Sequence, residues 1–333
     1  MINIAFVDWW DGFDISDNFI TRVLDNKACF QLSESIESTD FVFCSLFGTS
    51  FLKYRCPRIL FVGENCVPDF NLYDYAIGFD KILFDDRYIR YPLYVAYYGD
   101  VCNLIDSLEL DKNENYYDRE FCSFVVSNTN NANRYREDLF NRLSGYKFVA
   151  SGGRCLNNIG IDNGVKNKID FIKNYRFNLA CENVSHRGYC TEKIIEAFAA
   201  RTVPIYWGDP DIEDYFNPKA FINCNRYENQ DELVKNIIRI DKDKDQYLEM
   251  LNQPVIIDKE YSFDAMRNEF EKWLIYIVNQ KKELALRRSL DGWAKINEKK
   301  LLDRINDEKS INIGASKIER IKRSMRYLMK GSL

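Results

Sequence analysis

The stretch from Phe177 to Trp207 limits the fold more than any other part of this sequence. A short apolar run, Phe177–Cys181, leads through a glycine-containing loop into a helical stretch, Thr191–Ala200, and then a second apolar run, Val203–Trp207. Packed into about 30 residues, this order reads as one β-α-β unit, whose two strands lie parallel. The first third of the chain carries further apolar segments that close on Gly, Asp or Asn: Ile2–Val7, Phe41–Leu46, Ile59–Val62 and Tyr75–Ile77. Their apolar residues run on instead of alternating, which predicts parallel strands buried on both faces. From Glu120 a second set begins, with strands expected at Phe121–Val126 and Tyr146–Ala150 and helices at Arg136–Leu143 and Phe171–Lys173.

At 333 residues the chain exceeds the size at which one core stops growing, so two domains with a cleft between them are expected. The fold class is α/β: two Rossmann-like domains, 1–115 and 116–285, face the cleft, and a helical tail, 286–333, follows. The polar run Asp111–Asp118 reads as the linker, and long charged helical segments are expected from Gln230 to Ile256 and from Phe263 to Ile305. Apolar residues at 46% and aromatics at 15% suffice for two cores and leave rings for a ligand groove.

The net charge of -5 is unevenly spread: Gly314 to Leu333 carries six Lys or Arg against one Glu, leaving the remainder near -10. Nucleic acid is therefore not an expected partner of the body of the protein. Within that stretch, Ser316–Lys330 spaces Ile318, Ile321, Met325, Leu328 and Met329 on one helical face, with the basic residues mostly elsewhere. That pattern suits peripheral contact with an anionic membrane; the alternative is a solvated terminal helix packed on its own domain. Ten scattered cysteines without a CxxC pair, and a single histidine, give no zinc site and read as buried thiols of a reducing compartment. The start lacks a basic signal-peptide region, and no apolar stretch approaches the ~20 residues of a membrane span. The expected location is the cytoplasm, with peripheral attachment to the inner face of its membrane through the tail.

The loop inside the β-α-β unit carries chemistry. Residues 181–193 read Cys-Glu-Asn-Val-Ser-His-Arg-Gly-Tyr-Cys-Thr-Glu-Lys, and Thr191 can cap the helix that follows. Free N–H groups at a helix N-terminus, on the carboxyl edge of a parallel sheet, are suited to phosphate. Lys193 so near that terminus opposes the helix dipole unless an anion sits beside it. Glu192 can accept two hydrogen bonds from a ribose diol. Together they describe a nucleotide diphosphate pocket; the alternative is an ordinary surface Glu-Lys pair.

These residues belong to a longer ordered pattern. Phe-Asn-Leu-Ala-Cys-Glu-Asn (177–183), Tyr-Cys-Thr-Glu-Lys-Ile-Ile-Glu-Ala-Phe (189–198), Thr-Val-Pro-Ile-Tyr-Trp-Gly (202–208) and Phe-Asn-Pro-Lys-Ala-Phe-Ile-Asn (216–223) resemble the signature of the α-1,3/4-fucosyltransferase family. Phe121–Asn128, Gly63–Asp80 and Asp86–Tyr94 are similar to bacterial members. The resemblance implies a GT-B type glycosyltransferase that uses GDP-fucose. Arg136 and Lys193 would neutralise the diphosphate, Glu192 would hold the ribose, and Asn183 and Tyr189 would line the nucleotide pocket. Arg134, two residues earlier, is the other arginine near the expected position. The implied product is an α-1,3 or α-1,4 fucoside on a GlcNAc or Glc of an N-acetyllactosamine-type oligosaccharide acceptor, formed with inversion.

The only histidine, His186, lies in the donor loop, which leaves a carboxylate as the base for the acceptor hydroxyl. Glu64 closes a predicted strand in the other half and would face the cleft. The resemblance puts its proposed base there; the alternative is a Glu bonded to a loop or to Arg87 or Arg90. Glu182 is the second candidate, as base or as support for oxocarbenium-like charge. Asp209-Pro210-Asp211 and Asp241-Lys242-Asp243 have the Asp-x-Asp spacing of metal-using sugar transferases but read as solvated or capping groups, so no metal or other cofactor is expected. The turn Asp8-Trp9-Trp10-Asp11-Gly12 contains no GxGxxG, which argues against a dinucleotide oxidoreductase. A transferase for another sugar nucleotide and a non-catalytic glycan-binding protein stand as alternatives. Acceptor choice is expected to rest on the loops Trp9–Asn18 and Leu46–Tyr54.

Overall fold

The computed structural model describes residues 1–97, 101–102, 105, 109–127, 132–256 and 258–306, so the basic stretch Ser316–Lys330 lies outside the described residues. The first sheet holds β1 (Ile2–Val7), β2 (Phe30–Leu32), β3 (Phe41–Cys44), β4 (Arg58–Phe61), β5 (Tyr75–Gly78) and β6 (Tyr88–Arg90) in the order β2-β1-β3-β4-β5-β6. The second holds β7 (Glu120–Phe124), β8 (Val149–Ser151), β9 (Tyr175–Cys181), β10 (Val203–Trp207) and β11 (Ile222–Asn223) in the order β11-β10-β9-β7-β8. Every strand pair is parallel. Strands β3, β4 and β5 are buried at every position, as continuous apolar runs require. The strands β2 and β6, absent from the sequence reading, are three-residue edge strands too short to carry a pattern.

The helices include α1 (Phe19–Lys27), α2 (Leu93–Tyr97), α3 (Tyr135–Ser144), α4 (Lys168–Ile172), α5 (Glu192–Ala199), α6 (Gln230–Lys242), α7 (Lys244–Leu251) and α8 (Phe263–Val278), with a further helical stretch at 292–306. The segment expected to be helical from Gln230 to Ile256 breaks at Asp243, whose carboxylate accepts from Gln246 N at 3.0 Å and starts α7. The segment expected from Phe263 to Ile305 also breaks. After Val278 the chain leaves the helix, and the backbone N–H groups of Arg287 and Arg288 donate to Asp74 Oδ1 at 2.7 and 2.9 Å. The Arg288 guanidinium pairs with the same carboxylate, which is completely buried. Two adjacent arginines look like a solvated helix in sequence, but here they pin the C-terminal segment to the first sheet.

One core lies within the second half, between its sheet and α3, α6 and α7, around Phe124, Leu143, Phe177, Ile205 and Ile237. The other is shared between the halves. It runs from Ile4, Phe43, Phe61 and Ile77 through Tyr91 and Tyr94 to Ile194, Ile195 and Phe198 of α5, and to Phe263, Phe270 and Leu274 of α8. Helix α8 thus covers the first sheet although it follows the second in sequence. Its Phe270 is 1% exposed and stacks on Tyr91 with ring centroids 4.3 Å apart. Replacing Phe270 by Ala should cost about 3–5 kcal/mol, through lost burial and a residual cavity. Urea unfolding with tryptophan fluorescence would measure it.

Candidate active site

Parallel sheets present ligands at the carboxyl ends of their strands. Here β4 of the first sheet leads into Glu64, and β9 of the second leads into Glu182 and the loop 183–190. That loop is pressed onto the first half. Gly188 has φ +82°, and a Cβ there would lie 2.6 Å from the Phe79 carbonyl oxygen, so only glycine permits this approach. His186 Nε2 lies 2.8 Å from Asp80 Oδ1, and the Tyr189 ring meets Phe79 edge-on at 5.0 Å. Lys81 adds ion pairs to Asp211 and Asp214.

Behind the loop sits a buried polar cluster. Glu182 has no exposed surface; its Oε1 accepts from Thr191 N at 2.7 Å, and its Oε2 accepts from Lys193 Nζ at 2.8 Å. The Thr191 hydroxyl bonds the same carboxylate and accepts a second Lys193 hydrogen at 2.7 Å. Thr191 therefore does not cap α5 with its side chain, as the sequence suggested; its hydroxyl serves Glu182 instead. Burial works against the charge on Lys193, but the carboxylates of Glu182 and Glu192 outweigh it and raise its pKa. Burial likewise opposes ionisation of Glu192. Lys193 at 3.5 Å and Lys168 at 3.7 Å prevail and hold Glu192 well below the usual carboxylate range. On the adjoining side Arg136, fully buried on α3, donates from Nη1 to Asn183 Oδ1 at 2.8 Å, whereas Arg134 is exposed.

Opposite this cluster a cleft of about 430 Å³ is lined by Trp10, Phe47, Gly63, Glu64, Leu93, Tyr97 and Glu192. Among the described residues the Glu64 carboxylate makes no hydrogen bond or ion pair. Arg87 and Arg90, its alternative partners by sequence, are turned to the carbonyls of Phe70, Tyr73, Asp74 and Phe79. The walls of the cleft partly desolvate Glu64 and raise its pKa. Lys193 opposes that shift, and Glu192 and Glu182 add to it.

The seven residues singled out in the sequence, Glu64, Glu182, Arg136, Asn183, Tyr189, Glu192 and Lys193, thus gather around one junction. Tyr189 is only 3% exposed and packs in the first half's apolar cluster with Phe79, Leu60 and Val62, so its ring anchors the loop. Asp209, read as solvated or capping, has no exposed surface; its Oδ1 accepts from Asp211 N at 2.9 Å, and burial raises its pKa. Asp241 is also buried, bonded to Tyr146, Lys147 and Arg176, while Asp243 caps a helix as expected. Neither Asp-x-Asp pair forms a metal cage, and among the described residues no group of three His, Cys, Asp or Glu could hold a metal ion. The sequence reading missed the aromatic wall of the cleft as a unit. Trp10 and Phe47 fall in the two loops expected to govern acceptor choice, but nothing local in the sequence joins them to Tyr97.

This architecture superposes on that of a crystal structure of an alpha1,3-fucosyltransferase with GDP-fucose, at a TM-score of 0.70 and 30% sequence identity over 82% of this chain and 90% of that one. The fold is that of a GT-B glycosyltransferase. Residues 4–97 match the alpha-(1,3)-fucosyltransferase FucT N-terminal domain, and residues 117–255 match the C-terminal domain of glycosyltransferase family 10, the fucosyltransferases. The chain belongs to this fucosyltransferase family. It is 34% identical to alpha-(1,3)-fucosyltransferase FucT of Helicobacter pylori over 75% of its own length and 59% of that protein's. Human 4-galactosyl-N-acetylglucosaminide 3-alpha-L-fucosyltransferase 9 is 33% identical over 39% of this chain and 35% of its own. The chain thus spans less than two thirds of the length of these two relatives.

Two outcomes are expected from the buried cluster. Glu182→Gln leaves Lys193 without its main counter-charge, and should destabilise the fold by about 3 kcal/mol in urea unfolding. Because the folded pKa of Glu192 is lowered, its contribution to stability is complete above the unfolded pKa and is lost as pH falls through the folded one. Glu192→Gln should therefore lessen the loss of stability on acidification, measured by unfolding at a series of pH values.

Proposed function

We propose that this chain transfers L-fucose from GDP-β-L-fucose to a GlcNAc or Glc hydroxyl of an N-acetyllactosamine-type acceptor, with inversion to an α-1,3 fucoside. The observation that carries this reading is an unpaired, pKa-raised carboxylate, Glu64, sharing one cleft with Glu192 beside the Lys193 cluster. The names of the relatives support the donor and the 3-position. In this reading residues 1–115 handle the acceptor and residues 116–285 hold the donor.

Glu64 takes the proton of the acceptor hydroxyl as that oxygen attacks the anomeric carbon from the face opposite GDP. The bond from that carbon to the β-phosphate oxygen breaks, and its electron pair leaves with the diphosphate. Lys193 has three N–H donors; Glu182 and Thr191 take two, and the third, on the side of Glu192 at 3.5 Å, turns to the diphosphate when the donor binds. Arg136 supplies a second cation from the other side of the loop, and Glu192 accepts from the ribose hydroxyls. Donors that meet charge as it develops lower the barrier, and with two cations the reaction needs no metal. Glu182 holds Lys193 and Thr191 in place and acts as a positioning residue. The location proposed is the cytoplasm, where the ten free cysteines would stay reduced, with the basic tail on the inner membrane face. Among the described residues no helix is long and apolar enough to cross a membrane.

Acceptor-dependent GDP release, followed under excess EDTA, tests the mechanism. Glu64→Gln should lower turnover by about 100-fold while GDP still binds, and Lys193→Ala should abolish it. The base works only when ionised, so the raised pKa of Glu64 should place the acid limb of kcat/KM above that of an ordinary glutamate. Sustained turnover in Glu64→Gln would put the base elsewhere.

A further inference from the structure

The cleft beside Glu64 has an aromatic wall that the donor does not account for. Phe47 is 54% exposed and Tyr97 41%, and both line the cleft together with Trp10. The wall is built by the first half alone. Asp8, just after β1, adopts φ +61°, and its carboxylate accepts from Ser50 N at 3.0 Å and Phe51 N at 2.8 Å. This ties the loop after β1 to the loop after β3. Gly48 is needed at the crossing, since a Cβ there would lie 2.2 Å from Asp8 Oδ1. Trp9 donates from Nε1 to the Phe43 carbonyl at 3.1 Å and stacks on Phe13 at 3.9 Å. Trp10 is then held edge-on by Phe13 at 5.2 Å and Phe47 at 6.0 Å, and leans on Tyr97 at 5.2 Å.

We infer that Trp10, Phe47 and Tyr97 form the stacking wall for a pyranose ring of the acceptor and set its affinity. The inference rests on the transferase reading of the cleft. A β-linked hexose carries axial C–H bonds on one face, which meet the electron-rich face of an aromatic ring, while its hydroxyls point to the rim. The donor side of the junction is polar and charged, with Glu192, Lys193 and Arg136, and suits a nucleotide diphosphate. The aromatic side is apolar and sits on the half that carries Glu64, the group that must meet an acceptor hydroxyl. Rings fixed by one another lose little freedom when a sugar arrives, so the wall is preorganised.

Steady-state rates with N-acetyllactosamine varied at saturating GDP-fucose, and then the converse, test this in wild type, Phe47→Ala, Trp10→Ala and Trp10→Phe. Phe47 is exposed, so its truncation leaves the core intact and guards against a misfolded Trp10 variant. Acceptor KM should rise about tenfold in Phe47→Ala and more in Trp10→Ala, with much of the loss restored in Trp10→Phe, while the KM for GDP-fucose moves less than about twofold. An unchanged acceptor KM in Phe47→Ala and Trp10→Ala, or a rise confined to the KM for GDP-fucose, would overturn the inference. If the wild type shows no acceptor-dependent turnover, the transferase reading falls and takes this inference with it.

Discussion

A carboxylate with no solvent contact is costly to bury, and Glu182 is tolerated only because Thr191 and Lys193 satisfy both of its oxygens. The rest of the site depends on that arrangement. It fixes the first turn of α5, and with it Glu192 and the direction of Lys193. It also closes the loop 183–190 over a defined span, because residue 182 at the end of β9 and residues 191 and 193 at the start of α5 are joined through one side chain. The strand-loop-helix geometry is therefore held by a charged pair as well as by backbone bonds.

The same loop is the joint between the halves. Its tip reaches the end of β5, where Gly188, His186 and Tyr189 meet Phe79 and Asp80. Whatever sets the position of Glu192 and Lys193 thus also sets their position relative to Glu64. The shared apolar core extends this coupling, because α5 packs on α2 and α2 on α8, which belong to the covering of the first sheet. Neither half by itself contains the complete cleft.

Much of the plan was legible from local pattern. The strand Val203–Trp207 has the limits that its apolar run suggests, because a parallel strand buried on both faces leaves an unbroken apolar run; Ile2–Val7 keeps its expected limits too, although only Ile4 and Ala5 are buried in it. Glu192, Lys193, Arg136, Asn183 and Glu64 could be singled out as candidates because each lies near the end or start of such an element, within a motif whose spacing is local. Asp209 and Asp241, read as solvated or capping, are buried instead, for the opposite reason: the burial of Asp241 comes from Arg176 and Lys147, distant in sequence. The return of α8 to the first sheet is of the same kind, since its apolar face fits either half equally well in periodicity.

The sequence by itself determined the parallel α/β class, the two sheets and the charged residues that flank the loop 183–190, since strand burial, helix starts and charged motifs are written within a few turns of chain. Only the tertiary structure decided which carboxylate stands unpaired in the cleft and which is locked in a buried pair. Glu64 and Glu182 are both strand-end glutamates and look alike in sequence. Their difference arises from what the fold brings within hydrogen-bond reach among the described residues: nothing charged and donating for Glu64, a threonine and a lysine for Glu182. The energy of an ionisable group is set by its surroundings in space, and those surroundings come from both halves of the chain.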